Sequence, residues 1–336
     1  MLAQRLSVDA TIVLSMSQAN LIYNFERKIR NELKSVRADK VNRKTILRYH
    51  CQRVADGISL ARQHKCLCTI KLLSRMLGKQ FEDATKDDMV KLIARIEQRQ
   101  DFSAWTKRDY KIVLKTFYQW LYGYEWGQHP ALVKWIRSGY KIPNTLKKSD
   151  LLTTDEITKL VDAATNLRDK AFVVVLAESA RRVGEILTLR IGDVQFDSMG
   201  AKFIVDGKMG RDHSRVIASA KQLAAWLDIH PARNDPEAPV WIRLDTKDVR
   251  QMSYVSARAM LQDCIRRAGL SKRVWFYLFR HSRGTFAATR LNSQQLCALM
   301  GWTQGSDMAS VYVHLAAEDI DQAQAILNGI SIKAMN

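Results

Sequence analysis

The chain has 336 residues, of which 47% are hydrophobic and 26% are charged, and its formal net charge is +19. This composition is that of a globular protein long enough for two domains, and it excludes a disordered or low-complexity chain. The best apolar run, AFVVVLA at 171–177, is far shorter than the roughly 20 residues of a membrane helix, and five scattered cysteines do not indicate a disulfide scaffold.

The positive charge is concentrated in the first half of the chain. Residues 1–150 contain 29 Lys and Arg against 14 Asp and Glu, a net +15, whereas residues 151–336 contain 24 against 20, a net +4. Such an excess indicates a polyanionic partner, since each phosphate that a basic side chain neutralises releases condensed counterions. Nucleic acid is the favoured partner, and an anionic membrane surface is the alternative.

Residues 1–37 are predicted to be a helical N-terminal extension. Its first 20 residues contain one early Arg and an Asp inside their apolar stretch. They are therefore a poor match to a signal peptide. Apolar residues then recur at helical spacing: Leu21, Ile22, Phe25, Ile29 and Leu33. The pattern leaves open whether this helix binds DNA, packs on a neighbour or only precedes the next domain.

Residues 38–137 are predicted to form a small all-helical, DNA-binding domain. Segments with helical apolar spacing alternate with caps and helix breakers: 44–58, 69–78, 85–99, 103–123 and 131–137. Several basic side chains on their polar faces are expected to contact the DNA backbone: Arg43, Lys44, Arg48, Lys107, Arg108 and Lys111. The alternative is a solvated basic surface. The aromatic residues at 117–126 are predicted to be core rather than a base-stacking platform.

Residues 138–152 are predicted to be a linker, and residues 153–336 a second domain. Thr153 and Glu156 form a capping-box pattern at the start of its first helix. Its further elements are predicted in this order: helices at 169–177 and 182–190, strands at 193–197, 201–206 and 214–219, and helices from Ser253 on. The predicted fold class is therefore mainly α with a small antiparallel β-meander, an α+β arrangement.

One group of potential metal ligands lies in the helical domain. His64, Cys66 and Cys68 are close in sequence, but no second Cys/His pair follows at the distance of a zinc finger. Residues two apart also diverge on a helix. Buried thiols are the favoured interpretation, and no metal is expected.

The second domain contains several motifs with polar residues. The first is SARRVGEILTLRIGDV at 179–194, in which Arg182 is followed three residues later by Glu185. A predicted hairpin turn then contains Lys208. The remaining residues of interest belong to the stretch 275–312: Tyr277, Arg280, His281, Gly301, Trp302 and Tyr312.

Together these motifs resemble the boxes of the tyrosine recombinases, or phage-type integrases, and the spacing before Tyr312 is similar to that of archaeal-type integrases. In layout the resemblance covers residues 38–330. It implies that Arg182 is the first catalytic arginine; Arg181 stands where the family usually has an apolar residue, and the spacing to Glu185 favours Arg182. Lys208 would be the lysine of the family's β-hairpin, whereas the alternative is an ordinary turn lysine.

The resemblance also assigns roles to residues near the C-terminal end of the second domain. Arg280 would be the second arginine and Tyr312 the nucleophile. Tyr277 stands where the family most often has histidine, and as a neutral phenol it is a donor but a poorer base near pH 7. His281 and Trp302 would complete the set. Taken singly, each aromatic side chain would be interpreted as core.

The implied chemistry requires these residue types together. Two arginines would hold the non-bridging oxygens of a scissile phosphate and stabilise the charge of the transition state. Tyr312 would attack in line to form a 3′-phosphotyrosyl bond, while Lys208 protonates the leaving 5′ oxygen. No metal pair, ATP-binding loop or other cofactor is expected. Arg273 and Arg283, in the basic stretch 258–290, are expected to contact DNA.

The implied function is that of a site-specific DNA recombinase, the integrase of a mobile element such as an archaeal virus or plasmid. It would bind double-stranded DNA and act as a homotetramer on two duplexes, from a monomer when free, in the cytoplasm or nucleoid of the host. An accessory DNA-bending factor remains an option. Two alternatives stay open: a topoisomerase-IB-like or telomere-resolvase nicking-joining enzyme, and an inactive DNA-binding protein on the same fold.

Overall fold

The computed structural model describes residues 22–37, 41–140, 146–207, 210–316, 324 and 327–328. The chain divides into two compact units. The first spans Asn24–Asn144, and the second joins Met1–Tyr23 to Thr145–Asn336. The boundary falls within the predicted linker, of which residues 141–145 lie outside the described residues; so do residues 1–21 of the predicted extension.

The first unit is helical throughout its described part. Its helices are α1 Phe25–Arg37, α2 Arg43–Ala55, α3 Leu60–Leu77, α4 Lys86–Gln98, α5 Ala104–Leu121 and α6 Ala131–Lys134. Thr85 and Asp88 form a capping box at the start of α4, and Gly78 ends α3 in the left-handed conformation. Helix α1 is part of this unit, since Ile29 and Val36 are buried in its core.

The core of the first unit is aromatic. Phe117 and Tyr118 of α5 are fully buried, and the ring of Phe81 lies 4.5 Å from that of Phe117. The prediction that the aromatic cluster is core is therefore confirmed for these two residues. It is wrong for Tyr122, Tyr124 and Trp126, which are exposed, Trp126 to 91%, because the helix ends at Leu121 and these residues follow it.

The second unit combines helices with one sheet. Its described elements are α7 Thr154–Asp162, α8 Leu167–Ser179, α9 Val183–Leu187, β1 Val194–Asp197, β2 Gly200–Gly207, β3 Gly210–Val216, α10 Ala220–Asp228, α11 Tyr254–Arg267, α12 Phe276–Ala288, α13 Ser293–Met300 and α14 Met308–Ala316. The strands form an antiparallel meander in the order β1-β2-β3. The predicted fold class is confirmed.

The third strand differs from the prediction. It begins at Gly210, which pairs with Gly207, and it ends at Val216 rather than at residue 219. The polar residues 211–214 resemble a turn in sequence, but they pair with residues 203–206 of β2 and so belong to the ladder. Residues 217–219 leave the strand because their N–H groups donate to the carboxylate of Glu178 instead.

Helix α8 lies at the centre of the second unit. Its residues Phe172, Val173, Val175 and Leu176 are buried, so the helix is apolar on nearly all sides, as expected for a helix within a core. A smaller apolar cluster beside this core contains Ala180, Leu296, Met300 and Tyr312. Within the described residues, no helix has the length and hydropathy required to span a bilayer.

Candidate active site

Arg280 is buried at the centre of the candidate site. It lies on α12, and its two terminal nitrogens donate to the carbonyl oxygens of Ala180 and Met300, both at 2.7 Å. Ala180 can present its carbonyl because it ends α8 in the left-handed conformation, at φ 54°. These bonds hold the guanidinium rigidly, while its Nε has no hydrogen-bond partner among the described residues.

Arg182 supplies the second guanidinium. It precedes α9, and the carboxylate of Glu185 accepts both its backbone N–H, at 2.9 Å, and its Nη1–H, at 2.7 Å. The side chain of Arg182 remains over a third exposed, whereas Glu185 is buried. Burial, and after it the nearby charge of Arg182, lower the pKa of Arg280. Glu185 therefore orients an arginine that solvent can reach.

Tyr312 is enclosed by aromatic rings. Its ring centroid lies 5.5 Å from that of His281, nearly parallel, and 5.2 Å from that of Trp302. Trp302 in turn lies under the guanidinium of Arg280, at 5.5 Å from its central carbon. The side chain of Tyr312 is fully buried, and its hydroxyl has no hydrogen-bond partner in the described part of the chain by geometry.

The pKa of Tyr312 reflects this enclosure. Burial raises the pKa of the phenol well above its usual value, and neighbouring Tyr277 raises it further. The charges of Arg280 and Arg182 act in the opposite direction and lower the pKa. Both arginines therefore lie where they would stabilise negative charge on the phenolic oxygen.

His281 and Tyr277 complete the aromatic cluster. Their ring centroids are 4.5 Å apart in an edge-to-face arrangement, and Tyr277 is partly exposed. Burial, with the adjacent charge of Arg280, lowers the pKa of His281 to about 4. At neutral pH the imidazole is therefore uncharged, and it can donate or accept a hydrogen bond without adding charge.

Lys208 lies outside the described residues. The strands on either side of it are described, and Gly207 at the end of β2 pairs with Gly210 at the start of β3. The structure thus brings together Arg182, Tyr277, Arg280, His281, Trp302 and Tyr312, with the hairpin of Lys208 arising from the same unit.

Arg181 is a residue of this region to which the sequence assigned no role. Its side chain is 3% exposed, and it donates to the carboxylate of Asp212 at 2.6 Å and to the carbonyl of His213 at 2.7 Å. The sequence does contain one sign of it, since Arg181 is charged where the tyrosine recombinases usually have an apolar residue. What the charge contacts was not readable from the sequence.

The basic residues predicted to bind DNA in the first unit differ in exposure. Arg43, Lys44 and Arg48 on α2 are exposed, and Arg48 lies 5.7 Å over the ring of Trp120. Lys107 and Arg108 at the start of α5 are half-buried, and they donate to the carbonyls of Glu97 and Ser138 respectively.

Lys111 does not fit an open binding surface. It is 8% exposed and forms an ion pair with Glu97, because the helical turn that carries it faces inward. In the second unit, Arg273 is exposed and lies over the ring of Trp275, while Arg283 is half-buried next to Phe286.

One side-chain cluster has ligand atoms close enough for a metal ion. Glu32, His64 and Cys68 bring such atoms within 4.8 Å of one another, and Cys68 Sγ lies 3.5 Å from His64 Nε2. The ammonium group of Lys71 already forms an ion pair with Glu32, however, so a cation occupies that side of the cluster. Cys66 is buried elsewhere in the core.

The fold defines a class of protein: one unit combines helices with a three-stranded antiparallel meander, as in the integrases, and the described part of the other unit is helical. Lambda integrase bound to DNA has the same fold, with a TM-score of 0.64 and 15% identity over 83% of this chain and 97% of that one. Residues 150–319, half of the chain, match the sequence model of the phage integrase family. The chain belongs to the phage integrase family.

Two relatives are similar in sequence. The tyrosine recombinase XerA of Pyrococcus horikoshii is 32% identical over 160 residues, which are 46% of this chain and 51% of the relative. XerA of Pyrococcus furiosus is 27% identical over 187 residues, 54% of this chain and 63% of the relative. The chain therefore spans only about half to two thirds of the length of these curated relatives.

Proposed function

We propose that this protein is a site-specific DNA recombinase that cleaves and rejoins DNA through a 3′-phosphotyrosyl intermediate. The observation that carries this proposal is the convergence of Tyr312 with Arg280 and Arg182 from distant parts of the chain. Membership of the phage integrase family supports it. A tyrosine buried only for stability would not need two guanidinium groups beside it.

The proposed reaction is an exchange of phosphate esters. The phenolic oxygen of Tyr312 forms a bond to phosphorus, and the bond from phosphorus to the 5′ oxygen breaks. Arg182 and Arg280 stabilise the charge on the non-bridging oxygens. Lys208 donates a proton to the leaving 5′ oxygen, and the phenol proton passes by Tyr277 to solvent. The ester bond is conserved, so rejoining needs no ATP.

The burial of Tyr312 adds a requirement. A phosphate can meet its hydroxyl only if the surrounding rings separate, so we propose that DNA binding displaces Tyr312 from between His281 and Trp302. Without DNA, the buried and protonated phenol is unreactive. Free enzyme would thereby be protected from attacking other phosphates.

The proposal also covers the oligomeric state of the protein, its DNA substrate and its place in the cell. We propose a homotetramer on two duplexes; lambda integrase has been solved as a tetramer bound to a Holliday junction, which supports this arrangement. The excess of basic residues supports double-stranded DNA as the substrate. We also propose that the enzyme serves a mobile element in the cytoplasm or nucleoid, with an accessory DNA-bending factor as an optional partner.

The proposal is tested with nicked suicide duplexes that tile the DNA flanking the gene. The expected result is a covalent protein–DNA adduct with wild-type protein and none with Tyr312→Phe. If wild-type protein binds these duplexes and forms no adduct on any of them, the protein is a DNA-binding protein on the same fold. Relaxation of any supercoiled plasmid, without sequence preference, would instead indicate a topoisomerase-like enzyme.

A further inference from the structure

The buried cation Arg181 connects two segments of the second unit. Its Nη1 donates to Asp212 Oδ2 at 2.6 Å and its Nη2 to the carbonyl oxygen of His213 at 2.7 Å. Asp212 and His213 belong to β3 and pair with Val205 and Ile204 of β2. Arg181 thus attaches the β2–β3 hairpin to the turn between α8 and α9.

A third segment, the turn after α13, packs against this ion pair. Gly301 follows α13 at φ 62°, and a Cβ atom there would lie 2.5 Å from Arg181 Nη1 and 3.2 Å from Asp212 Oδ2. The next residue, Trp302, contacts both Arg280 and Tyr312. The ion pair therefore lies where the hairpin, the turn of Arg182 and the Gly-Trp turn meet.

We propose that Arg181 is a positioning residue that fixes the hairpin, and with it Lys208, relative to the nucleophile Tyr312. This inference rests on the proposed function. The two adjacent arginines then have different tasks: Arg182 holds the phosphate, and Arg181 holds the segment that delivers the general acid.

The energetics of burial support a positioning role over one in stability. Removing a guanidinium from water costs several kcal/mol, and an apolar side chain of similar volume is often as stable or more so. The side chain of Arg181 is 3% exposed, whereas that of Asp212 is 45% exposed, so the ion pair is only partly shielded. An apolar residue could fill this space, but it could not hold both Asp212 and the His213 carbonyl at fixed distances.

The experiment compares two leaving groups in single-turnover cleavage. One suicide substrate has an ordinary phosphodiester, and the other has a 5′-bridging phosphorothiolate, whose thiolate leaves without a proton. The variants are Arg181→Met, Asp212→Asn and the matched control Arg215→Gln, which breaks an ion pair with Asp197 in the same sheet.

We expect Arg181→Met to cleave the phosphodiester on the order of 100-fold more slowly, as for a catalytic group displaced by about 1 Å. It should cleave the phosphorothiolate at close to the wild-type rate, because no general acid is needed there. Asp212→Asn should show the same pattern with a smaller loss, and Arg215→Gln should behave as wild type on both substrates.

Two results would overturn the inference. One is unchanged cleavage of the phosphodiester by Arg181→Met; the other is an equal loss on both substrates, which indicates a merely structural role. If Arg181→Met does not fold, the same comparison of the two substrates is made with Asp212→Asn. This variant is expected to fold because the side chain of Asp212 is partly exposed. Failure of wild-type protein to form an adduct on either substrate would instead refute the proposed function.

Discussion

At the scale of single residues, the site depends on one buried tyrosine that contacts two other aromatic rings. The ring of Tyr312 stacks on His281 and lies tilted against Trp302, and the backbone of α12 passes close to it at Gly284. The motif spacing predicted that these residues have a shared role. The sequence could not predict that Tyr312 is fully buried, because burial depends on how α14 packs on α12.

Gly284→Ala should displace the nucleophile. A Cβ at this position would lie 2.7 Å from Tyr312 Cε1 and 2.9 Å from the methyl group of Met300, closer than packed atoms allow. We expect adduct formation to fall by about 100-fold and the free energy of unfolding to fall by about 1–3 kcal/mol. Suicide-substrate cleavage and urea unfolding measure these effects.

The control for Gly284→Ala is Gly139→Ala, where the added Cβ meets no atom within 4 Å. It should leave cleavage unchanged. Cleavage by Gly284→Ala at the wild-type rate would mean that Tyr312 does not occupy this position in the reacting enzyme.

His281 should make the second unit less stable in acid. Its pKa is about 4 in the folded protein against 6.5 ordinarily, so between these values the unfolded state binds the proton more readily. The free energy of unfolding should therefore fall as the pH drops from 6.5 toward 4. Above pH 6.5 the imidazole is neutral in both states, and this contribution is constant.

His281→Asn should weaken that pH dependence, as measured by urea unfolding from pH 7 to pH 4. Replacing the exposed His213 of β3 in the same way is the matched control. An unchanged slope in His281→Asn would contradict the burial of a neutral imidazole.

At the scale of elements, the sequence predicted most helices and the meander. The predicted bounds were wrong where a side chain accepts hydrogen bonds from backbone N–H groups far away in the sequence. The third strand is the clearest case. Its predicted end at residue 219 ignored Glu178, whose carboxylate accepts three backbone N–H groups and the hydroxyl of Ser219 at the start of α10. The two partners are about 40 residues apart, so local patterns contain no sign of the contact.

Glu178→Gln should destabilise this junction. Burial raises the pKa of Glu178, but the hydrogen bonds from residues 217–219 outweigh it and the pKa is lowered, so the carboxylate is ionised. An amide can accept fewer of these bonds, and we expect a loss of about 1–3 kcal/mol in the free energy of unfolding. Glu237→Gln, at an exposed ion pair with Arg190, is the control. Equal effects of the two substitutions would contradict this account.

At the scale of the whole molecule, charge and motif order were the informative signals. The excess of basic residues in the first half predicted a polyanionic partner, and the order of the boxes predicted the fold class. Exposure was harder to predict, because a basic residue on a helix can face inward. Lys111 is paired with Glu97, whereas Lys44 and Arg48 are exposed.

The exposed basic residues of α2 should set the salt dependence of DNA binding. Replacing Lys44 and Arg48 by Gln should weaken binding to all sequences alike, since phosphate contacts carry no sequence information. The slope of log K against log salt should become shallower by about 0.9 for each lost phosphate contact. Lys91→Gln, an exposed lysine on α4, is the control. If the double variant has the wild-type slope, α2 does not contact the DNA backbone.

The most direct test of the central claim is to identify the residue that becomes attached to DNA. Wild-type protein is trapped on a suicide substrate, digested, and the DNA-linked peptide is sequenced by mass spectrometry. We predict a phosphotyrosyl bond at Tyr312, at the 3′ end of the cut strand. Attachment at any other residue, or an adduct that persists in Tyr312→Phe, would contradict the account.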